Sequence, residues 1–333
     1  MATIKDIAAK LGVSISTVSK GLHAASDISE EMRQQVLDAA ISLGYVVKDK
    51  KTNEHHKVCI MVENMDYANI NQFGYELITG FRLMAQEQQY QVDVIPMDVY
   101  TQNKQSYDTY MIQNSYSGAF FLGFEMTDTY LGQLTHTNIP TVLFDNYVLN
   151  PNVAYIGTDN TNGGKALVSH LVQNGHKNIA ILNGSQNSYI SNLRCNIIMN
   201  ELKEHGITVP PSMLGYGVSF LPETISSFIP QFVQEGATAI VCASDLIAAT
   251  TINELHKMGL RVPDDISVTG FDDLPIAKYL APPLTTIRQE RFILGKSAFT
   301  LLSQLISGQK ISTLLYQSEL VIRESSGRAK KVN

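Results

Sequence analysis

Three aspartates, Asp145, Asp245 and Asp272, each stand at the end of a β-rich run, and Arg194 follows a fourth run, Ile179–Gly184. A carboxylate accepts hydrogen bonds from two neighbouring hydroxyls, and a guanidinium donates several in one plane. Such a set suits a ligand rich in hydroxyl groups, and Phe73 offers an aromatic face on which a pyranose can stack. Each residue also has a structural use. Asp245 can cap the helix it begins, Phe73 can be core, Arg194 can pair with an acid, and Asp273 can be the structural partner beside Asp272. Two or three carboxylates against one Arg disfavour a phosphorylated ligand, which calls for a helix N-terminus or several cations. A neutral polyol fits better.

A second chemistry-bearing set lies near the start of the chain. Ser14, Ile15, Ser16, Thr17, Ser19 and Lys20 bring hydroxyls, one apolar side chain and a cation into one short stretch. Ser and Thr hydroxyls suit phosphate oxygens, Lys20 a base edge or a phosphate, and Ile15 the methyl group of thymine. Lys20 lacks the planar fork of Arg, so it does not favour a bidentate guanine contact.

The elements that must position these residues follow from periodicity. Ile4, Ile7, Ala8 and Leu11 fall at helical spacing, Gly12-Val13 breaks the helix, and Ser14 caps a second one over Ile15–Leu22. A third helix starts near Ser29, has Glu30 and Glu31 at its positive end, and stops at Gly44. Two short helices joined through a Gly turn, with a third behind, make a helix-turn-helix whose second helix is the candidate for the major groove. A small helical bundle without a nucleic-acid role shares this pattern.

From 58 to 284 short β-rich runs alternate with amphipathic helical stretches, which predicts parallel sheets with helices on both faces. In such doubly wound folds ligands sit at the carboxyl ends of the strands. The chain has 333 residues, 44% hydrophobic and 17% charged, which fits several soluble domains. Its net charge of −6 confines any nucleic-acid contact to a local patch. The three cysteines, Cys59, Cys195 and Cys242, lack the spacing of a disulfide or zinc framework and fit a reducing cytoplasm. The charged first residues do not read as a signal peptide, and no apolar run is long enough to cross a membrane.

Enzyme signatures fail. Gly163-Gly164-Lys165-Ala166 lacks the P-loop spacing, and neither G-x-S-x-G nor H-E-x-x-H occurs. No catalytic residue, metal or cofactor is expected.

The residues from Thr3 to Ser19, with Ile28-Ser29 through Leu43-Gly44-Tyr45, resemble the start of the lactose-repressor (LacI/GalR) family. The resemblance continues through Asp159-Asn160-x-x-Gly163-Gly164, His170-Leu171, Gly175-His176, Val262-Pro263-x-Asp265-Ile266-Ser267-Val268, Gly270-Phe271-Asp272-Asp273, Pro282-Pro283-Leu284-Thr285-Thr286-Ile287 and Leu320-Val321-x-Arg323-Glu324-Ser325. It implies an all-α helix-turn-helix domain followed by a periplasmic-binding-protein-like α/β sensor of two doubly wound parallel-sheet subdomains with a ligand cleft between them. The expected domains are 1–47 for the DNA head, 48–57 for a linker, and 58–333 for the sensor. Within the sensor, subdomain 1 takes 58–157 and 288–316, and subdomain 2 takes 158–287 and 317–333.

The resemblance also implies a function: a bacterial cytoplasmic, nucleoid-associated repressor that binds a palindromic operator as a homodimer and answers to a small effector, with no membrane partner. A sugar is the expected effector. A purine-like corepressor is the alternative, and a sugar-binding protein without DNA function is the rival class. Ile15, Ser16 and Lys20 would read bases, with Thr17 and Ser19 on phosphates and Thr3 and Ser14 also on the DNA side. Phe73, Asp145, Arg194 and Asp272 match positions that commonly line the effector site, and Asp245 lies beside Ser244, which replaces a frequent Asn.

Three departures stand out. Lys20 and His23 replace the usual Arg and Asn. Asn196-Ile197-Ile198 replaces the usual Gly and aromatic after Arg194. The family's hinge, a short helix that wedges Leu into the minor groove, has no counterpart between 46 and 57, which contains no Pro, Ala or Leu. The segment 48–57 carries a local charge of +2 and reads as a solvated basic tether.

Overall fold

The computed structural model describes residues 2–23, 25, 27–46, 56–218 and 224–330. The chain divides into two compact units. Unit 1 holds Met1–Met65, Leu77–Ile156 and Phe292–Leu314; unit 2 holds Asp66–Glu76, Gly157–Arg291 and Leu315–Asn333. The described backbone thus passes between units near 156, 291 and 314, and residues 66–76 form an additional excursion into unit 2.

Unit 1 begins with helices α1 (Ile4–Leu11), α2 (Ile15–Leu22) and α3 (Glu30–Ser42). Each has an oxygen-bearing cap. Thr3 and Asp6 form a reciprocal capping box, Ser14 accepts from the Thr17 N–H, and Ser29 accepts from the Met32 N–H. Such caps contribute about 1 kcal/mol each. Gly12, at φ 67°, supplies the left-handed turn between the first two helices. Ile7, Val18, Leu22, Val36 and Leu37 close the core of this three-helix body, joined by Ile112 from further along the chain. Gly21 lets α2 lie against α3, since a Cβ there would meet Val36 at 2.9 Å.

The rest of unit 1 comprises β1 (His56–Val62), α4 (Phe73–Glu87), β2 (Tyr90–Pro96), α5 (Val99–Lys104), α6 (Tyr107–Gln113), β3 (Ala119–Leu122), α7 (Thr129–Gln133), β4 (Thr141–Phe144) and β5 (Val153–Thr158). Strand β1 starts at His56, so Lys57 is not a tether residue. Its ammonium pairs with Asp93 at 2.9 Å and lies 4.6 Å from the centroid of the Tyr116 ring. The remainder of the expected tether, 48–55, lies outside the described residues.

Unit 2 runs through α8 (Asn160–Gln173), β6 (Ile179–Asn183), α9 (Tyr189–Glu204), β7 (Leu214–Tyr216), α10 (Phe228–Gln234), β8 (Ala239–Cys242), α11 (Asp245–Lys257), β9 (Ser267–Asp272) and β10 (Thr285–Arg288). Helix α12 (Arg291–Ile306) then belongs to unit 1 for all but its first residue. Strands β11 (Thr313–Tyr316) and β12 (Glu319–Val321) finish the two sheets. Their orders are β11-β5-β4-β3-β1-β2 and β12-β10-β9-β8-β6-β7. The pairs from β1 to β5, and from β6 to β10, are parallel; β12 runs antiparallel to β10. Central strands such as β3 and β8 are buried along their whole length, which is why they read as unbroken apolar runs.

Helices α4 and α12 cross on bare backbone. A Cβ at Gly80 would lie 2.2 Å from the Phe292 carbonyl oxygen, and one at Gly295 would lie 2.1 Å from that of Leu77.

Candidate functional site

Most of the residues expected to contact DNA occupy α2 and its cap. Ser14 is its N-cap, with its Oγ 3.0 Å from the Thr17 N–H and 2.8 Å from the Thr17 hydroxyl. Ile15 is 50% exposed although large and apolar, and Ser16 beside it is also exposed. Packing within the three-helix body therefore does not account for Ile15. Ser19 is half-buried one turn along. Lys20 is exposed, and its ammonium pairs with the Asp27 carboxylate, which that hydrogen bond holds below the usual range. Thr3 sits apart from this run as the cap of α1, its hydroxyl 2.7 Å from Asp6.

In unit 2 the carboxyl ends of β8 and β9 and the helices that follow gather the ligand candidates. Arg194 lies in the second turn of α9, which Ser188 caps through the Ser191 N–H. It is 5% exposed. Its Nε donates to Asn160 Oδ1 at 2.9 Å and its Nη1 to the Ala243 carbonyl at 3.3 Å. The guanidinium carbon lies over the Phe271 ring, 3.7 Å from its centroid. The departure after Arg194 is absorbed by packing. Ile197 fits over Gly164, where a Cβ would approach within 2.6 Å, and Ile198 is buried in the core.

Asp272 ends β9. Burial raises its carboxyl to about 6, against the opposing pull of Arg194 and Arg291. Gln289 Nε2 donates to its Oδ1 at 2.7 Å, and Arg291 Nη1 to its carbonyl at 2.6 Å. Its φ is +120° and that of Asp273 is +50°, two successive non-glycine residues outside the ordinary regions. Asp273 is the structural member of the pair. It bridges Arg288 at 2.7 Å and Arg323 at 2.6 Å, and stays ionised.

Asp245 has a different place from the one its sequence position suggests. Ser244 caps α11, and Asp245 is fully buried behind it. Its carboxylate receives the Leu274 N–H at 2.7 Å and the Thr286 hydroxyl at 2.5 Å. Burial, with Asp272 close by, pushes it well above the usual carboxylate range. It braces the loop after β9 rather than facing a ligand. Phe73 opens α4 and lies 5.7 Å from the Arg291 guanidinium. Asp145 belongs to unit 1, where it follows β4 with φ 52° and its N–H reaches the Ile156 carbonyl at 3.1 Å.

Sequence reasoning missed Gln289, Arg291 and Glu76. Arg291 is 5% exposed and pairs with Glu76 at 2.7 Å. The available signal was position: Gln289 and Arg291 directly follow the Pro282–Ile287 motif. It also missed Glu63 in unit 1, a buried acid at the end of β1 that accepts from Gln102. Burial, with Asp128, Asp98 and Glu125 nearby, raises Glu63 to about 7.

Comparison with known proteins gives this geometry a context. A model of bacterial regulatory proteins, lacI family, matches residues 3–47, and one of a periplasmic binding protein-like domain matches 168–326. The HTH-type transcriptional repressor PurR of Histophilus somni (strain 129Pt) is 29% identical, across 98% of this chain and 99% of that protein. The HTH-type transcriptional repressor CytR of Escherichia coli (strain K12) is 28% identical, across 98% and 96%. A Lac repressor dimer bound to operator and the anti-inducer ONPF superposes with TM-score 0.69 at 25% identity, covering 98% of this chain and 99% of that one. The complex of the transcriptional regulator CelR with cellobiose shares the fold, with TM-score 0.72 at 24% identity over 98% and 100%. The chain thus carries a lacI-family DNA-binding domain at residues 3–47 and a periplasmic binding protein-like domain over 168–326, and it aligns with transcriptional repressors along its length.

Proposed function

We propose that this DNA-binding transcriptional repressor is controlled by a sugar held at the carboxyl ends of the unit 2 strands. Repression under the control of a small ligand follows from its family and relatives; the sugar is the further step. The observation that carries it is the buried pair of Asp272 and Arg194, an acceptor and a planar donor fixed side by side. Vicinal hydroxyls satisfy both at once. CelR, of the same fold, is a cellobiose complex. We further propose that the chain acts as a homodimer on a two-fold operator. One head reads only a few base pairs, and symmetry doubles the site; the Lac repressor was solved as a dimer on operator.

A thermal-shift panel of mono- and disaccharides, cellobiose included, set against purine bases, tests the effector class. A ligand that binds only the folded chain at 100 times its Kd adds about 2.7 kcal/mol of stability. A rise with sugars supports the reading. A rise with purines alone replaces it with corepression by a base.

A further inference from the structure

One hydrogen-bonded chain in unit 2 lies outside the proposed ligand contacts except for Asp272. It runs Thr158–Gln289–Asp272–Arg291–Glu76, all within unit 2. Gln289 is 3% exposed and works with both ends of its amide: Oε1 accepts from the Thr158 hydroxyl at 2.8 Å while Nε2 donates to Asp272 at 2.7 Å. Because an ionised Asp272 carboxylate only accepts, it fixes which end of the amide donates, and turning the amide over would break the bond to Asp272. On the other side of Asp272, Arg291 joins the Asp272 carbonyl to Glu76, and its Nε is buried with no further hydrogen-bond partner. The guanidinium therefore depends on those two contacts. Beside Thr158, the Asp159 N–H donates to the Tyr316 carbonyl at 2.7 Å, and the Ser318 hydroxyl donates to the Asp159 carbonyl at 2.9 Å.

The positions of these residues matter as much as their bonds. The chain passes from one unit to the other at 65/66, 76/77, 156/157, 291/292 and 314/315. Glu76, Thr158, Arg291 and Tyr316 each lie within two residues of a different one of these crossings. The residue at the middle of the network, Asp272, is held at a positive φ, so its backbone keeps its place only while its neighbours hold it.

We infer that Gln289 and Arg291 are positioning residues that tie the backbone at these crossings to the state of the Asp272 carboxylate. This rests on the reading of Asp272 as a ligand contact for its physiological meaning, but not for its test, which needs no ligand. A change in what engages Asp272 moves or breaks the Gln289 amide, and Thr158 and its neighbours follow. Arg291 carries the same change to Glu76 at the start of α4.

Hydrogen exchange by mass spectrometry on the full chain tests it, comparing wild type with Thr158→Val, Asp272→Asn and Gln289→Ala. Thr158→Val removes one hydroxyl and keeps the shape. It should raise exchange by ~10-fold in the 272–274 segment, which Thr158 does not touch. Asp272→Asn, a stand-in for a neutralised carboxylate, should raise exchange in 157–160 and in 74–79. Adding Gln289→Ala should abolish the mutual effect of the first two. If each variant alters only its own segment, the network does not communicate and the inference fails. Should Gln289→Ala unfold, the single variants Thr158→Val and Asp272→Asn still decide. A sugar panel without hits would sink the sugar reading and leave these exchange results unaffected.

Discussion

Arg194 lies over the ring of Phe271, guanidinium carbon 3.7 Å from ring centroid, so the strand that ends in Asp272 also supports the cation beside it. Stacking of a desolvated guanidinium on an aromatic ring is worth ~2 kcal/mol. Phe271→Leu should therefore weaken effector binding by up to ~30-fold in calorimetry with the best sugar of the panel, while operator binding without effector persists. Arg194→Ala should abolish the response. Unchanged affinity in Phe271→Leu would show that Arg194 needs no such platform.

The Asp272 carboxyl is raised by burial to about 6, so effector binding through it should depend on pH. An ionised carboxylate accepts from two hydroxyls, and its protonated form accepts less well. Affinity should hold at pH 7 to 8 and fall below pH 6, by roughly tenfold per unit once the proton dominates. Asp272→Asn should give a weak and flat profile. A wild-type profile that stays level from pH 5 to 8 would remove Asp272 from the contact.

On the DNA head, Lys20 pairs with Asp27, so any contact of Lys20 with DNA would have to displace that carboxylate. Lys20→Ala should weaken operator binding by about 1–3 kcal/mol if Lys20 reaches a base. Asp27→Asn should do the opposite and tighten it, since the ammonium is released and a negative charge leaves the DNA side. Gel-shift titration on the DNA upstream of the gene separates these outcomes. An equal loss on random DNA would make Lys20 a phosphate contact.

Glu63 predicts a slope in stability. Its carboxyl rises from 4.5 unfolded to about 7 folded, chiefly through burial, with Asp128, Asp98 and Glu125 adding to it. The folded state therefore holds a proton that the unfolded state gives up between these values. The contribution is complete below pH 4.5 and is lost as pH rises to about 7. Glu63→Gln keeps an acceptor for Gln102 and should remove this slope. Melting temperatures of wild type and variant, taken from pH 5 to 8, should diverge with rising pH in favour of the variant.

Gly80→Ala tests the close crossing of α4 and α12. A methyl would meet the Phe292 carbonyl oxygen at 2.2 Å, and backbone on both sides leaves little room to yield. Overpacking of this kind typically costs 1–3 kcal/mol. Thermal unfolding should show the loss, with Gly132→Ala, which meets nothing within 4 Å, as the neutral control.

Much of this was legible in the chain itself, for physical reasons. The first two helices have their predicted bounds because Thr3, Gly12 and Ser14 punctuate them locally. Buried strands such as Ala239–Cys242 announce themselves as apolar runs. Edge strands such as Leu214–Tyr216 and Glu319–Val321 are three residues long and half exposed, too short to show a period. Roles at the site were harder. Asp245 and Asp272 look alike as acids ending strands, yet Thr286 and the Leu274 N–H enclose the first. Both partners lie 29 or more residues away in sequence, so nothing near Asp245 discloses them. Arg291 escaped notice for the same reason: only the fold brings it to Glu76 and Asp272.

The enclosure of Asp245 reaches beyond its own loop. The formal charge of −6 counts every acid as ionised. Burial pushes the Asp245 carboxyl well above the usual range and raises Glu63 to about 7, so at neutral pH the folded chain is less negative than that count. Folding takes protons from the solvent, and a protein that must approach a polyanion arrives less negative than its composition implies.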